Sequence, residues 1–298
     1  MSNRRSFCAL VAACSAVACL AAVAGPRADA LLASSASSAA SAASATRPHS
    51  STYAVSRPTL VSRSPMTRAS TAPRGGVARL VATHVIWAPA TGSSVPAATV
   101  DAARRHGGPR AKGAVCTTPG PGNNDYSLEG WKIPAPVTAH FNPATTRPGL
   151  SNVAASLQAA FNEWLVPGHN VPTITVVADG TATSASADHQ DDIFFGPLTN
   201  GALGVTYTWQ WTTGELESDV VLNSRMPWFQ APSEGTGCYP TANAYDVQDV
   251  TAHEAGHVYG LGEATNSTYN VMSPYGSLGE TYKRTLAPGD ILGIEQLY

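Results

Sequence analysis

Cysteine, large apolar residues and basic charge are each scarce in some part of this 298-residue chain, and each scarcity excludes something. Of five cysteines, Cys8, Cys14 and Cys19 fall near the start, so only Cys116 and Cys238 belong to the rest of the chain. The apolar run Phe7 to Ala24 is built of small residues and is short for a bilayer span. Arg4 and Arg5 precede it, and small-x-small cleavage sites end at Ala24 and Ala30, so residues 1–30 read as a cleaved secretory signal. A retained anchor, or a lipid on Cys14 or Cys19, fits less well. The boxes Val11-Ala12-Ala13 and Ala16-Val17-Ala18 are misplaced or lack the usual aliphatic residue. The expected location is extracellular.

Large apolar residues are few from 31 to 115, which is an Ala/Ser tract followed by Ser, Thr, Pro, Arg and Gly. Such a segment buries too little surface to offset its ordering entropy, so it reads as a mostly disordered leader. Val77 to Trp87 is the one stretch in it that could form a strand. Basic residues are scarce beyond it. From 116 to 298 five Lys or Arg stand against eighteen Asp or Glu, whereas from 31 to 115 ten stand against Asp101 alone. An acidic domain excludes nucleic acid as a partner. The basic leader is a pro-segment resting on that domain, a tether to an anionic cell envelope, or a solvated linker.

Residues 116–298 suffice for one domain with its own core, without internal repeats and expected as a monomer. Val137 to Phe141 alternates like a half-buried strand. Apolar residues at helical steps run from Leu150 to Leu165, between Pro148-Gly149 and Pro167-Gly168. Strands are expected at Thr173 to Val177, Ile193 to Phe195, Leu203 to Trp211 and Leu216 to Asn223, the last two joined through Thr213-Gly214. Val205, Tyr207, Trp209 and Trp211 share one face of the third, and Thr206, Thr208 and Gln210 the other. Helices are expected after Asp246 and from Pro288 to Tyr298. The fold class is α+β, with one mixed sheet and few helices.

The second helix carries the chemistry. His253 and His257 lie four apart, so their imidazoles share one face, with Glu254 between them. This H-E-x-x-H pattern suits one metal ion held by two histidines, with the glutamate as general base. Asp246 is a fitting N-cap, and Gly260 can reverse the chain to bring residue 263 back towards the histidines. Cys116 and Cys238 most simply form a disulfide, worth ~4–5 kcal/mol for so long a loop. The alternative is Cys116 as a thiolate blocking the metal.

With Gly260 and the sequence Asn270-Val271-Met272-Ser273-Pro274, the pattern resembles the metzincin metalloproteases, H-E-x-x-H-x-x-G-x-x-H followed by a Met-turn. Leu286 to Tyr298 is similar to the closing helix of matrixin-type catalytic domains. The resemblance implies a zinc endopeptidase acting on protein or peptide substrates. Zn²⁺ would be held by His253 and His257, Glu254 would be catalytic, Met272 would lie under the metal, and Pro274 and Tyr275 would wall the substrate pocket. It also implies calcium, for which Asp188 to Asp192 is the candidate stretch. Leu203 to Trp211 is then the sheet edge expected to hold substrate by main-chain bonds.

The departure from the family is Glu263, standing where the third histidine is usual. A carboxylate can complete such a site. His140, His169, His189 and Glu280 are the alternatives, as is a site with two ligands only. The matrixin thiol switch Pro-Arg-Cys-Gly is absent. Two rival readings remain: a catalytically weak or inactive metzincin-like cell-surface binding protein, and a zinc hydrolase of non-peptide amides.

Overall fold

The structure, a computed structural model, describes residues 76–89, 114–199 and 201–298. The signal read over 1–30 and most of the leader lie outside the described residues. Strands, numbered along the chain, are β1 (Ala78–Trp87), β2 (Ser127–Leu128), β3 (Val137–Phe141), β4 (Ile174–Val177), β5 (Asp191–Gly196), β6 (Ala202–Trp211), β7 (Leu216–Asn223), β8 (Trp228–Phe229), β9 (Tyr245–Asp246) and β10 (Leu261–Gly262). The α-helices are α1 (Val153–Asn162), α2 (Val247–Tyr259) and α3 (Pro288–Leu297).

Six strands form one mixed sheet in the order β1-β6-β7-β5-β3-β4. β3 runs parallel to β4 and β5, and β5 parallel to β7, whereas β6 is antiparallel to β7 and β1. The β6–β7 hairpin turns at Gly214, whose φ of 87° favours a residue without Cβ. The α+β expectation is met.

Two readings are corrected. The folded unit does not start at Cys116, because Ala78–Trp87, within the one candidate strand of 31–115, adds β1 to the sheet. The sequence marks this strand but not its partner, because the pairing of a strand depends on the rest of the sheet. The first helix is also shorter than Leu150 to Leu165. It starts after Asn152 at φ 47° and gives way beyond Asn162 to a turn in which Trp164 N bonds Phe161 O. Trp164 is nonetheless fully buried, and its indole Nε1 donates to Ala252 O at 2.9 Å, locking α1 onto α2.

Helix α2 lies inside the molecule, with every residue buried except Gln248. Asp246 caps it by accepting from Asp249 N at 3.0 Å, and Arg284 grips the same carboxylate with Nε and Nη2, each at 2.7 Å. At the other end Gly260 has φ 103°, and any Cβ there would strike the carbonyl oxygen of Trp131. The chain therefore reverses at Gly260. Leu261–Gly262 then pairs with Ser127–Leu128, which aims residue 263 back along the helix. Cys116 and Cys238 form a disulfide, closing a separation of 122 residues, so Cys116 is no free thiolate.

Candidate metal centre

The two helix histidines are fully buried and oriented from behind. His253 Nδ1 lies 2.8 Å from Val271 O, and His257 Nδ1 lies 2.8 Å from Leu261 O. A carbonyl only accepts, so each Nδ1 carries a proton, and whichever ring is neutral has its lone pair on Nε2. Burial pushes the His253 imidazole down, but Glu263 and Glu254 outweigh it and raise the group. The two Nε2 atoms face each other at 3.1 Å. Lone pairs that close repel unless a cation or a proton sits between them. Burial, together with the neighbouring His84, pushes His257 down to about 4, so at neutral pH it is uncharged and fit to ligate.

Glu263 arrives where the reversal at Gly260 predicts. Its Oε1 is 3.7 Å from His253 Nε2 and 3.5 Å from His257 Nε2, and its Oε2 has no hydrogen-bond partner. Burial alone would raise its carboxyl, but the two histidines hold it well below the usual range. The alternative ligands are engaged elsewhere. His140 pairs with Asp179 at 2.8 Å, His169 with Glu295 at 3.4 Å and His189 with Glu215 at 3.0 Å. Glu280 pairs with Lys283 at 2.7 Å. Two imidazoles, an ionised carboxylate and fixed ring orientations fit a zinc ion.

Glu254 is fully buried beside them, and burial raises its carboxyl to about 7 against the opposing pull of His253 and Thr206. Thr206 Oγ1 donates to Oε2 at 2.6 Å, while Oε1 has no partner. Room for Oε1 exists because β6 carries Gly204 there, where a Cβ would lie 2.6 Å from it. The threonine face of β6 thus looks at the metal helix. Its Val/Trp face is buried as well, with His189 stacked on Trp211 at 3.6 Å between ring centroids.

Met272 is fully buried below α2, and its sulfur fills the space a side chain on Gly256 would need. Asp290 of α3 holds the Met loop, accepting from Val271 N at 2.8 Å and Met272 N at 3.1 Å. At Pro274 and Tyr275, expected to wall the substrate pocket, the backbone is already paired with Trp87. Pro274 O accepts from Trp87 N at 2.9 Å, and Gly276 N donates to Trp87 O at 3.0 Å. β6, expected as the open edge, is likewise covered by β1.

With β1 comes His84, a residue the sequence pattern did not single out. Its ring stacks on that of His257, with centroids 4.0 Å apart and planes 15° apart. Ligand atoms of His84, His257 and Glu263 lie within 4.8 Å of one another. Thr206, Gly204 and Asp290 were also missed. Each acts through a cross-strand or cross-helix contact that no local spacing announces. The acidic stretch Asp188 to Asp192 sits apart, its carboxylates accepting mainly backbone N–H groups, as Asp191 does from Ser218 N at 2.7 Å and Asp188 from Gln190 N at 3.1 Å.

A mixed sheet laid along an H-E-x-x-H helix, with a buried methionine loop under it, is the metzincin fold. A family model for matrixins matches residues 131–298, and the chain belongs to the matrixin family, which consists of zinc-dependent metalloendopeptidases. No curated protein matches the chain.

Proposed function

We propose that the protein is a secreted zinc endopeptidase in which His253, His257 and Glu263 hold the metal and Glu254 is the general base. The observation that carries this is the pair of Nε2 lone pairs converging at 3.1 Å beside the unpartnered Oε1 of Glu254. Zinc bound there supplies a Lewis acid that acidifies water and polarises a peptide carbonyl. Glu254 uses its two oxygens differently. Thr206 ties down Oε2, so Oε1 is the basic atom that takes the proton of the attacking water and later passes it to the leaving amine nitrogen. A carboxyl near pH 7 is matched to both transfers. A third ligand that is a carboxylate adds negative charge to the site. It should leave the attacking water less acidic than three histidines would.

Because β1 lies over the site, the assay uses the full chain both as wild type and carrying Trp87→Pro, which removes the bond to Pro274 O. Zinc per chain and cleavage of a denatured protein are measured with and without chelator. About one zinc per chain and chelator-sensitive cleavage are expected. Glu254→Gln should retain the zinc and lose hydrolysis by about 10²–10⁴-fold. Zinc without cleavage in either background would instead favour the binding-protein reading. Cleavage of a non-peptide amide alone would favour the third.

A further inference from the structure

We propose that Lys283 is a positioning residue for the substrate: its buried ammonium ties segment 274–276 to the metal helix, with the outer backbone groups of that segment turned towards an extended peptide. The inference rests on the zinc-endopeptidase reading of the site.

Lys283 has no exposure to solvent, which is rare for a lysine, because a charge leaves water only where partners replace its hydration. Here the three ammonium protons meet three oxygens. Nζ donates to Tyr275 O at 2.6 Å and to Glu280 Oε1 at 2.7 Å, and Tyr282 Oη lies 3.4 Å away. The backbone of the same residue is fixed as well, since Lys283 N donates to Asp249 Oδ1 at 2.8 Å. Asp249 stands on α2 four residues before His253, so it shares the histidine's face of the helix. One residue thus connects the metal helix to the carbonyl of Tyr275. Pairing with Glu280 accounts for one of its bonds, but the shortest goes to that main-chain carbonyl.

What the carbonyl does follows from strand geometry. Along an extended segment the N–H and C=O groups of successive residues point to opposite sides. Pro274 O accepts from Trp87 N at 2.9 Å and Gly276 N donates to Trp87 O at 3.0 Å, so these two groups face a neighbouring extended backbone. Tyr275 O lies between them and points the other way, to Lys283. Holding the inner carbonyl therefore sets the rotation of the two outer groups, which are the kind a main-chain-bound peptide uses. Glu280 steadies the next residue, its Oε2 accepting from Ser277 N at 2.9 Å. Without the lysine the inner carbonyl loses its ammonium donor. Rotation of the segment to find another would turn the outer groups away.

The test is the double variant Lys283→Met/Glu280→Gln, which leaves neither charge buried alone and keeps an oxygen for Ser277 N. It is made in the full-length chain and in the full-length chain carrying Trp87→Pro. In the first, hydrogen exchange of the Trp87 and Gly276 amides should accelerate at least about 10-fold, while amides inside α2 keep their protection. In the second, KM for the denatured protein should rise at least about 10-fold with kcat within about twofold, the mark of lost binding rather than lost chemistry. Zinc content should not change. Unchanged exchange, or an unchanged KM in a form that turns over, would overturn the proposal. So would loss of zinc or faster exchange throughout α2, which would make Lys283 a support of the whole fold. Failure of the protease reading looks different: exchange at Trp87 and Gly276 accelerates as expected, with no turnover in any form.

Discussion

Thr206 and Gly204 divide the carboxylate of Glu254 into a tethered oxygen and a free one. The hydroxyl of Thr206 holds Oε2, and the missing side chain at Gly204 leaves space for Oε1. Gly204→Ala should therefore displace Glu254 while sparing the histidines. Kinetics should show kcat reduced by more than about 10-fold with zinc affinity near wild type, since misplacement of a general base costs a large part of its 10²–10⁴-fold contribution. An unchanged kcat would mean that Oε1 is not the working atom. Glu263 is the other position to probe. Glu263→Gln should lower zinc affinity by more than about 10-fold, the lower limit of what partners behind the ligands are worth. Glu263→His should keep the metal. Competition with a zinc-sensitive dye measures both, and equal affinity for all three side chains would remove Glu263 from the ligand set.

At the scale of elements, α2 is positioned by polar contacts that only work when buried and complete. Asp246 serves three partners at once: Asp249 N, Ala231 N and the Arg284 guanidinium. Asp290 likewise organises the Met loop from α3. Packing against that loop explains the glycine in the middle of the metal helix. Gly256 forgoes ~1 kcal/mol of helix propensity relative to alanine. A Cβ there would collide with Met272 Sδ and sit 2.7 Å from the Trp164 ring. Gly256→Ala should thus be destabilising by about 1–3 kcal/mol despite the better propensity, because core overpacking outweighs it. Chemical denaturation of the metal-loaded chain checks the sign. A gain in stability would show that Met272 and Trp164 yield easily.

For the whole molecule, a cluster of aspartates away from the metal helix departs far from ordinary ionisation. Burial raises Asp219 to about 9 and Asp191 to about 7, with neighbouring acidic groups adding to the rise. Burial raises Asp192 to about 6, chiefly with Asp188 beside it. Each folded value stands above the unfolded one, so the stability these groups contribute is fully present below about pH 4 and is lost as pH climbs through 6, 7 and 9. Melting temperature should accordingly fall between pH 5 and 9, and Asp219→Asn should flatten that slope whatever it does to the absolute level. A divalent cation favours the ionised form of such a cluster, so calcium bound there should restore melting temperature at pH 8. No response to calcium would remove it from the cofactors expected here. The disulfide acts at the same scale, tying residue 116 to residue 238 ahead of the metal helix.

Much of the site was legible in the chain because its spacing is local. Four residues return a helix to the same face, so His253 and His257 had to converge once α2 formed. Asp246 and Gly260 mark its ends by side-chain chemistry alone, and Met272 and the paired cysteines stood out by type. What only tertiary structure decided is everything that depends on register between distant segments. Ala78–Trp87 stands out as a candidate strand, but nothing local says which strand it pairs with or in what register. Pairing with β6 gives it order, and that pairing alone carries His84 to His257 across more than 170 residues of chain. Thr206 and Gly204 reach Glu254 by the same kind of contact. Helical periodicity is written into neighbouring residues, whereas the partner and register of a strand are fixed by the rest of the sheet. The sequence by itself therefore determined the metal helix and its chemistry, and the fold determined what stands in front of it.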